Sequence, residues 1–212
     1  MTRFLIVLDV DSTLIEDEVI ELIAEYAGVR EQVAQVTERA MRGELDFAQS
    51  LVERVATLAG LPSTVLDEVR GQVRVTRGAA ELIDGVHAAG GAVGVVSGGF
   101  HEVLDPLAER LGLDRWRANR LGSADGRLTG LVDGPIIDSA AKAAALKEWA
   151  AELGVPMSRT IAVGDGANDL GMMAAAGLGI AFDAKPAVRA AADLALPTRD
   201  LAAVLGVLGL RG

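Results

Sequence analysis

Two short stretches of the chain concentrate carboxylates where an apolar run stops. The first is Asp9-Val10-Asp11-Ser12-Thr13, which directly follows Phe4-Leu5-Ile6-Val7-Leu8. If the extended conformation persists, strand alternation puts Asp9 and Asp11 on the same side. Two carboxylates that close repel each other unless one is protonated or a cation lies between them. Taken alone, the pair reads equally well as two capping aspartates at a strand-to-helix turn. The second stretch is Ile161-Ala162-Val163-Gly164-Asp165-Gly166-Ala167-Asn168-Asp169. Its glycines flank Asp165 and permit a tight turn with close backbone approach. In open α/β sheets, ligands bind outside the carboxyl ends of the strands, so two acidic strand ends on adjacent central strands converge. Cysteine is absent and the histidines are His87 and His101 alone, which leaves oxygen-only ligation. Three or four converging carboxylates then call for a hard divalent cation, and Mg²⁺ is the expected cofactor. Without a metal, such buried acids would be expensive.

Two further features suit a phosphate. Val95-Val96-Ser97-Gly98-Gly99-Phe100 reads as a strand running into a small-residue turn and a helix. The Ser97 hydroxyl and the Gly98 amide are placed to donate to phosphate oxygens near a helix N-terminus. On its own, Ser-Gly-Gly is better read as a plain strand-to-helix turn. Lys142 falls in the first turn of a helix predicted to begin near Ser139, the end at which cations are disfavoured. That misplacement points to a function, although a solvated surface lysine is the commoner case.

The elements that must position these residues follow from hydrophobic patterning. Residues 4–8, 92–96, 160–163 and 178–181 are apolar runs of the kind buried on both faces of a parallel sheet. Helical stretches lie between them, which predicts a doubly wound, mostly parallel α/β core. Residues 15–72 contain no strand-like run. Phe47, Leu51, Val55 and Leu58 recur at helical spacing, as do Val29, Val33, Val36 and Ala40. Three or four short helices are expected there, as a cap over the carboxyl end of the sheet. The predicted division is a catalytic core of 1–14 and 73–212 with a helical cap of 15–72. Asp125-Gly126 marks a small β-hairpin within 117–132.

Composition narrows the function classes. The 212 residues are half apolar, only 3% aromatic, and carry a formal net charge of −10. A chain this acidic is a poor partner for nucleic acid or anionic lipid. No stretch is long and apolar enough to span a bilayer, and the short N-terminal apolar run is not a signal-peptide core. A cytoplasmic location is expected. A homodimer is compatible with the sequence.

The four motifs in order, Asp-x-Asp-Ser-Thr, Ser-Gly-Gly-Phe, a lysine, and Gly-Asp-Gly-Ala-Asn-Asp, resemble the haloacid-dehalogenase-like hydrolases and, within them, the phosphoserine phosphatase family. The resemblance runs from about Phe4 to the final helix. It implies that Asp9 is a nucleophile forming an aspartyl-phosphate and that Asp11 is the general acid and then the base. It also implies that Mg²⁺ is held by the Asp9 side chain, the Asp11 backbone carbonyl and Asp165. Ser97, Gly98 and Lys142 would stabilise the transferring group. Asn168 would contact substrate or phosphate, and Asp169 would orient Lys142. In the cap, Glu18, Met41, Phe47 and Arg54 fall where that family contacts substrate. Glu18 suits an ammonium, and Arg54 suits a carboxylate through its fork, so L-phosphoserine is the expected substrate. Without the resemblance, Glu18 and Arg54 would pass for surface residues, and Met41 and Phe47 for cap core. Many bacterial relatives carry an N-terminal regulatory extension. Since this chain begins three residues before its first strand, that regulation is expected to be absent. His101 stands where an acidic residue is frequent, either at the mouth of the site or without a role. The competing readings are a phosphatase or phosphotransferase for phosphothreonine, phosphohomoserine or another phosphomonoester, and a non-catalytic phospho-ligand sensor.

Overall fold

The computed structural model describes residues 1–41 and 44–210, apart from the side chains at 38, 40 and 41. Seven strands form one sheet: β1 (Leu5–Leu8), β2 (Ala92–Phe100), β3 (Arg115–Ala124), β4 (Arg127–Asp133), β5 (Thr160–Gly164), β6 (Leu178–Phe182) and β7 (Leu194–Leu196). Their order is β4-β3-β2-β1-β5-β6-β7, and every pairing is parallel except β3 with β4. The chain builds outward from β1 to one side and then resumes at β5 on the other. β1 and β5 are therefore neighbours at the point where the strand order reverses, and a crevice opens there at the carboxyl ends.

The unbroken apolar run of β1 is explained by burial on both sides. Ile6 and Leu8 join one hydrophobic cluster, while Leu5 and Val7 join the other. β5 divides the same way, with Ile161 and Val163 against Ala162. Period-two alternation thus feeds two cores rather than one core and solvent. Helix α7 (Ser139–Glu152) covers the Leu5/Val7 face with Ala145, Leu146 and Trp149. Helices α5 (Ala79–Ala88) and α6 (His101–Leu111) pack on the other.

Ahead of α5, four helices among the described residues follow β1: α1 (Val19–Ala27), α2 (Arg30–Met41), α3 (Phe47–Ala56) and α4 (Val65–Gln72). The two segments of chain leading to and from them pair with each other. Ile15 bridges Val75, Glu16 N donates to Arg74 O at 2.9 Å, and Thr76 N donates to Leu14 O at 2.9 Å. At their far end the helices are tied to the hairpin, where Gly60 N donates to Leu128 O and Leu128 N to Leu61 O, both at 2.8 Å.

Two details differ from expectation, and one goes further than it. Ser97-Gly98-Gly99 is not a turn: β2 stays extended through Phe100, and α6 begins at the next residue. The pairing of β2 with β1 ends at Val95, and its register against β3 shifts between Val96 and Phe100. The strand end therefore bulges toward the crevice instead of turning away. The expected hairpin is present as β3 and β4, and the first half of β3 also pairs with β2 and so extends the main sheet. Its turn does use Asp125 and Gly126, both at positive φ, as the twist of a two-residue hairpin loop requires. β7, three half-buried residues, has no counterpart among the expected strands. No helix among the described residues is long and apolar enough to cross a membrane.

Candidate active site

Asp9 is the first residue past β1. Its N–H donates to Val163 O at 2.9 Å, which fixes its backbone against β5, and its own Oδ1 accepts from Val10 N at 2.7 Å. The extended conformation does not continue to Leu14, because Ser12 adopts a left-handed φ of 58° and Ile15 N closes a turn onto Val10 O. Asp9 and Asp11 nevertheless line the same cavity. On the neighbouring strand, β5 ends at Gly164, and the chain turns through Asp165 and Gly166 into a short helical turn, Ala167–Asp169. A side chain at Gly164 would meet Asp169 Oδ2 at 2.3 Å, so only glycine admits Asp169 to this place.

Lys142 lies one turn into α7, whose N-cap Asp138 accepts from Ala141 N at 2.8 Å. Its side chain is fully buried. Nζ lies 2.6 Å from Asp9 Oδ1 and 2.7 Å from Asp169 Oδ1. Burial works against its charge, but Asp9 and Asp169 outweigh burial and hold its pKa above the ordinary lysine value. Burial, then Asp169, pushes the Asp9 carboxyl well above its usual range, with Lys142 opposing. Burial, then Glu18, does the same to Asp11. Asp165 is pushed up to about 6 by burial, Asp169 and Glu18, against a hydrogen bond from Thr13.

Oxygens of Asp9, Asp165 and Asp169 lie within 4.8 Å of one another. Lys142, which pairs with this group, is divided between two of the three. The excess negative charge, the upward shifts and the all-oxygen donor set together fit a hard divalent cation. Asp169 rather than the Asp11 side chain completes the carboxylate group. The Asp11 carboxylate packs instead toward Gly99, where a side chain would come within 3.1 Å of Oδ2, and its Oδ1 is buried with no hydrogen-bond partner among the described residues. An unpartnered buried carboxylate oxygen is costly unless something else meets it.

The cavity, of about 660 Å³, is walled on one side by these strand ends and on the other by α1 and α3. Glu18, Phe47 and Arg54 face it from the helices; Gly98, Asp165 and Asn168 face it from the sheet. Phe47 closes tightly on Gly98, where a side chain would meet its Cζ at 2.8 Å. Arg54 has its pKa lowered by burial, with Glu18 and Asp11 opposing. Its Nε donates to Ser50 O at 3.2 Å. Ser97 is buried beneath the cavity floor, and its Oγ accepts from Gly99 N at 2.8 Å. Met41's side chain lies outside the described residues. His101 is not at the mouth: Nδ1 meets Asp105 Oδ1 at 2.6 Å and Nε2 accepts from Ala118 N at 3.1 Å, so it ties α6 to β3.

Four participants were not anticipated. Thr13 Oγ1 donates to Asp165 Oδ1 at 3.2 Å. Ser12 Oγ donates to Glu18 Oε1 at 2.7 Å. Asn119, buried in β3, donates to Gly98 O and accepts from Ile137 N, both at 2.8 Å. It holds the bulged end of β2, and an asparagine inside a strand, where it is depleted, was its one signal in the sequence. Lys185, in the loop after β6, also lines the cavity.

Residues 6–174 match the haloacid dehalogenase-like hydrolases. A Streptomyces coelicolor protein named phosphoserine phosphatase is 59% identical over 97% of this chain, which spans half the length of that relative. A Streptococcus thermophilus protein of the same name is 54% identical over 96% of this chain and 95% of its own length. A solved structure described as a phospho-aspartyl intermediate analogue of phosphoserine phosphatase matches with a TM-score of 0.92 at 43% identity, covering 98% of this chain and 99% of that one. The chain belongs to the haloacid dehalogenase-like hydrolases and, within them, to the phosphoserine phosphatase family.

Proposed function

We propose that the chain hydrolyses L-phosphoserine to L-serine and phosphate through a phosphorylated Asp9, with 15–72 acting as a cap over a core of 1–14 and 73–212. The observation that carries this reading is a single cavity with Asp9 on one wall and Glu18 with Arg54 on the other. A phosphoserine whose phosphate is seated at Asp9 leaves its ammonium and carboxylate to face an acid and a base.

Asp9 attacks phosphorus with one carboxylate oxygen, and the bond from phosphorus to the serine oxygen breaks. Lys142, at 2.6 Å from Oδ1, fixes the orientation of the nucleophile. Asp11 gives its proton to the departing oxygen. Its burial and the nearby Glu18 favour the protonated form this requires. Asp11 then takes a proton from the water that attacks the aspartyl-phosphate, releasing phosphate and restoring Asp9. Ser97 already accepts from Gly99 N, so its O–H remains available to a phosphate oxygen beside the Gly98 amide. Mg²⁺, held by the side chains of Asp9 and Asp165 and the Asp11 backbone carbonyl, would offset repulsion between the nucleophile and the phosphate dianion. Asp169 keeps Lys142 in place, and Thr13 keeps Asp165 in place.

The test is phosphate release from L-phosphoserine, phosphothreonine and an aryl phosphate, each with Mg²⁺ and with a chelator. L-phosphoserine is expected to be the best substrate and chelation to abolish turnover. No turnover of any substrate with Mg²⁺ would refute the enzyme reading, and equal rates on all three would refute the substrate.

A further inference from the structure

Lys185 lines the cavity and is absent from the reaction described above. The described residues lining that cavity include five acids, Asp9, Asp11, Glu18, Glu21 and Asp165, and two cations, Arg54 and Lys185. Lys142, just below, is already matched by Asp9 and Asp169. Arg54 is half-buried, and the charges of Glu18 and Asp11 support its own against burial. Lys185 differs from both in being exposed, and it forms no ion pair among the described residues.

The loop that presents Lys185 has a specified shape. Asp183 sits at a left-handed φ of 42°, costly for a non-glycine residue. It is held there by its N–H to Leu196 O at 2.9 Å and by Arg199 Nε at 3.3 Å from Oδ2. Ala184 is buried, and Pro186 starts the next helix (Pro186–Ala191). The backbone on either side of Lys185 is anchored, and among the described residues its ammonium has no acidic partner.

A phosphomonoester dianion approaching a chain of net charge −10 meets repulsion that grows toward an acid-lined cavity. An unpaired cation at the cavity wall lowers that barrier, and its effect on association is screened by salt. Resting on the phosphatase reading, we propose that Lys185 is an electrostatic positioning residue that draws the phosphate dianion into the cavity without taking part in the chemical step.

The experiment compares the unaltered chain with Lys185→Gln, Lys185→Arg and, as a control, Lys147→Gln, an exposed lysine on α7 outside the cavity. At low ionic strength, kcat/KM for L-phosphoserine is expected to fall about three- to tenfold in Lys185→Gln, with kcat changed less than about twofold. The difference should shrink toward one above about 0.5 M salt, where charges are screened within a few ångströms. Lys185→Arg should restore the value, and Lys147→Gln should leave it unaltered. Calorimetric titration with inorganic phosphate provides a readout independent of turnover, with the Kd of Lys185→Gln weakened at low salt only. A loss that persists undiminished at high salt, a loss carried by kcat, or equal loss in Lys147→Gln would overturn the proposal. If the unaltered chain turns over no phosphoserine, the phosphatase reading falls, and the phosphate titration alone decides whether Lys185 draws the anion.

Discussion

The two walls of the cavity are built differently. On the sheet side, Asp9, Lys142 and Asp169 are buried to 5%, 0% and 0% exposure. Asp9 stands on backbone fixed by a neighbouring strand, Lys142 one turn into a long helix and Asp169 at the end of a short helical turn, and Lys142 holds both acids at hydrogen-bond distance. On the helical side, Glu18 is exposed, and Phe47 and Arg54 are half-buried. These three project from helix starts and faces, and few bonds fix them. Buried charges at fixed separation give strong, preorganised electrostatics at the reacting atoms. On the proposed reading, partly exposed side chains on helices would give selectivity on which the chemistry does not depend. The comparison teaches that a substitution on the sheet wall should harm every substrate, whereas one on the helical wall should harm only those bearing an amino-acid backbone.

The largest effect that sharpens this contrast is Asp9→Asn. It should lower kcat on phosphoserine and aryl phosphate alike by about 10³-fold or more while leaving circular dichroism unaltered. Residual activity within tenfold of the unaltered chain would remove Asp9 from the chemistry. Next, Arg54→Ala deletes a charged hydrogen-bond donor. It should cost about 10- to 100-fold in kcat/KM for phosphoserine, corresponding to roughly 1.5–3 kcal/mol, and several-fold less for aryl phosphate. Equal losses on both would break the contrast. Ser12→Ala removes the hydroxyl that holds Glu18, and kcat/KM for phosphoserine should drop about threefold with kcat little changed. The smallest effect is in stability. Asp46 caps α3 reciprocally with Gln49, at 2.8 and 3.1 Å. Asp46→Ala should lower the unfolding free energy by about 1 kcal/mol in a denaturant titration without changing aryl-phosphate turnover.

The parts that were legible in the sequence are those whose signal is local. β1, β5 and β6 stand in the sequence as unbroken apolar runs because both of their faces are buried, and Asp125-Gly126 marks a turn that few other pairs allow. β7 is three residues, Leu-Ala-Leu, too short to show a period. The extended course of Ser97 to Phe100 was hidden because glycine accepts almost any backbone conformation, and a tertiary bond from Asn119 to Gly98 O holds it. Thr13 reaches an oxygen 152 positions away, and the place of Lys185 beside the cavity depends on how two loops from distant strands meet. Neither is written in any local pattern. Glu18 and Arg54 sit among other charged residues, and only the ordered motifs elsewhere in the chain drew attention to them.

The most direct test of the account is to quench the reaction during turnover of L-phosphoserine, reduce it with borohydride, and map the peptide that carries residue 9. An acyl phosphate at Asp9 is reduced to homoserine at that position, in a yield that depends on substrate and Mg²⁺, and the account predicts this product. Turnover with Asp9 recovered unmodified and another carboxylate reduced in its place would contradict it.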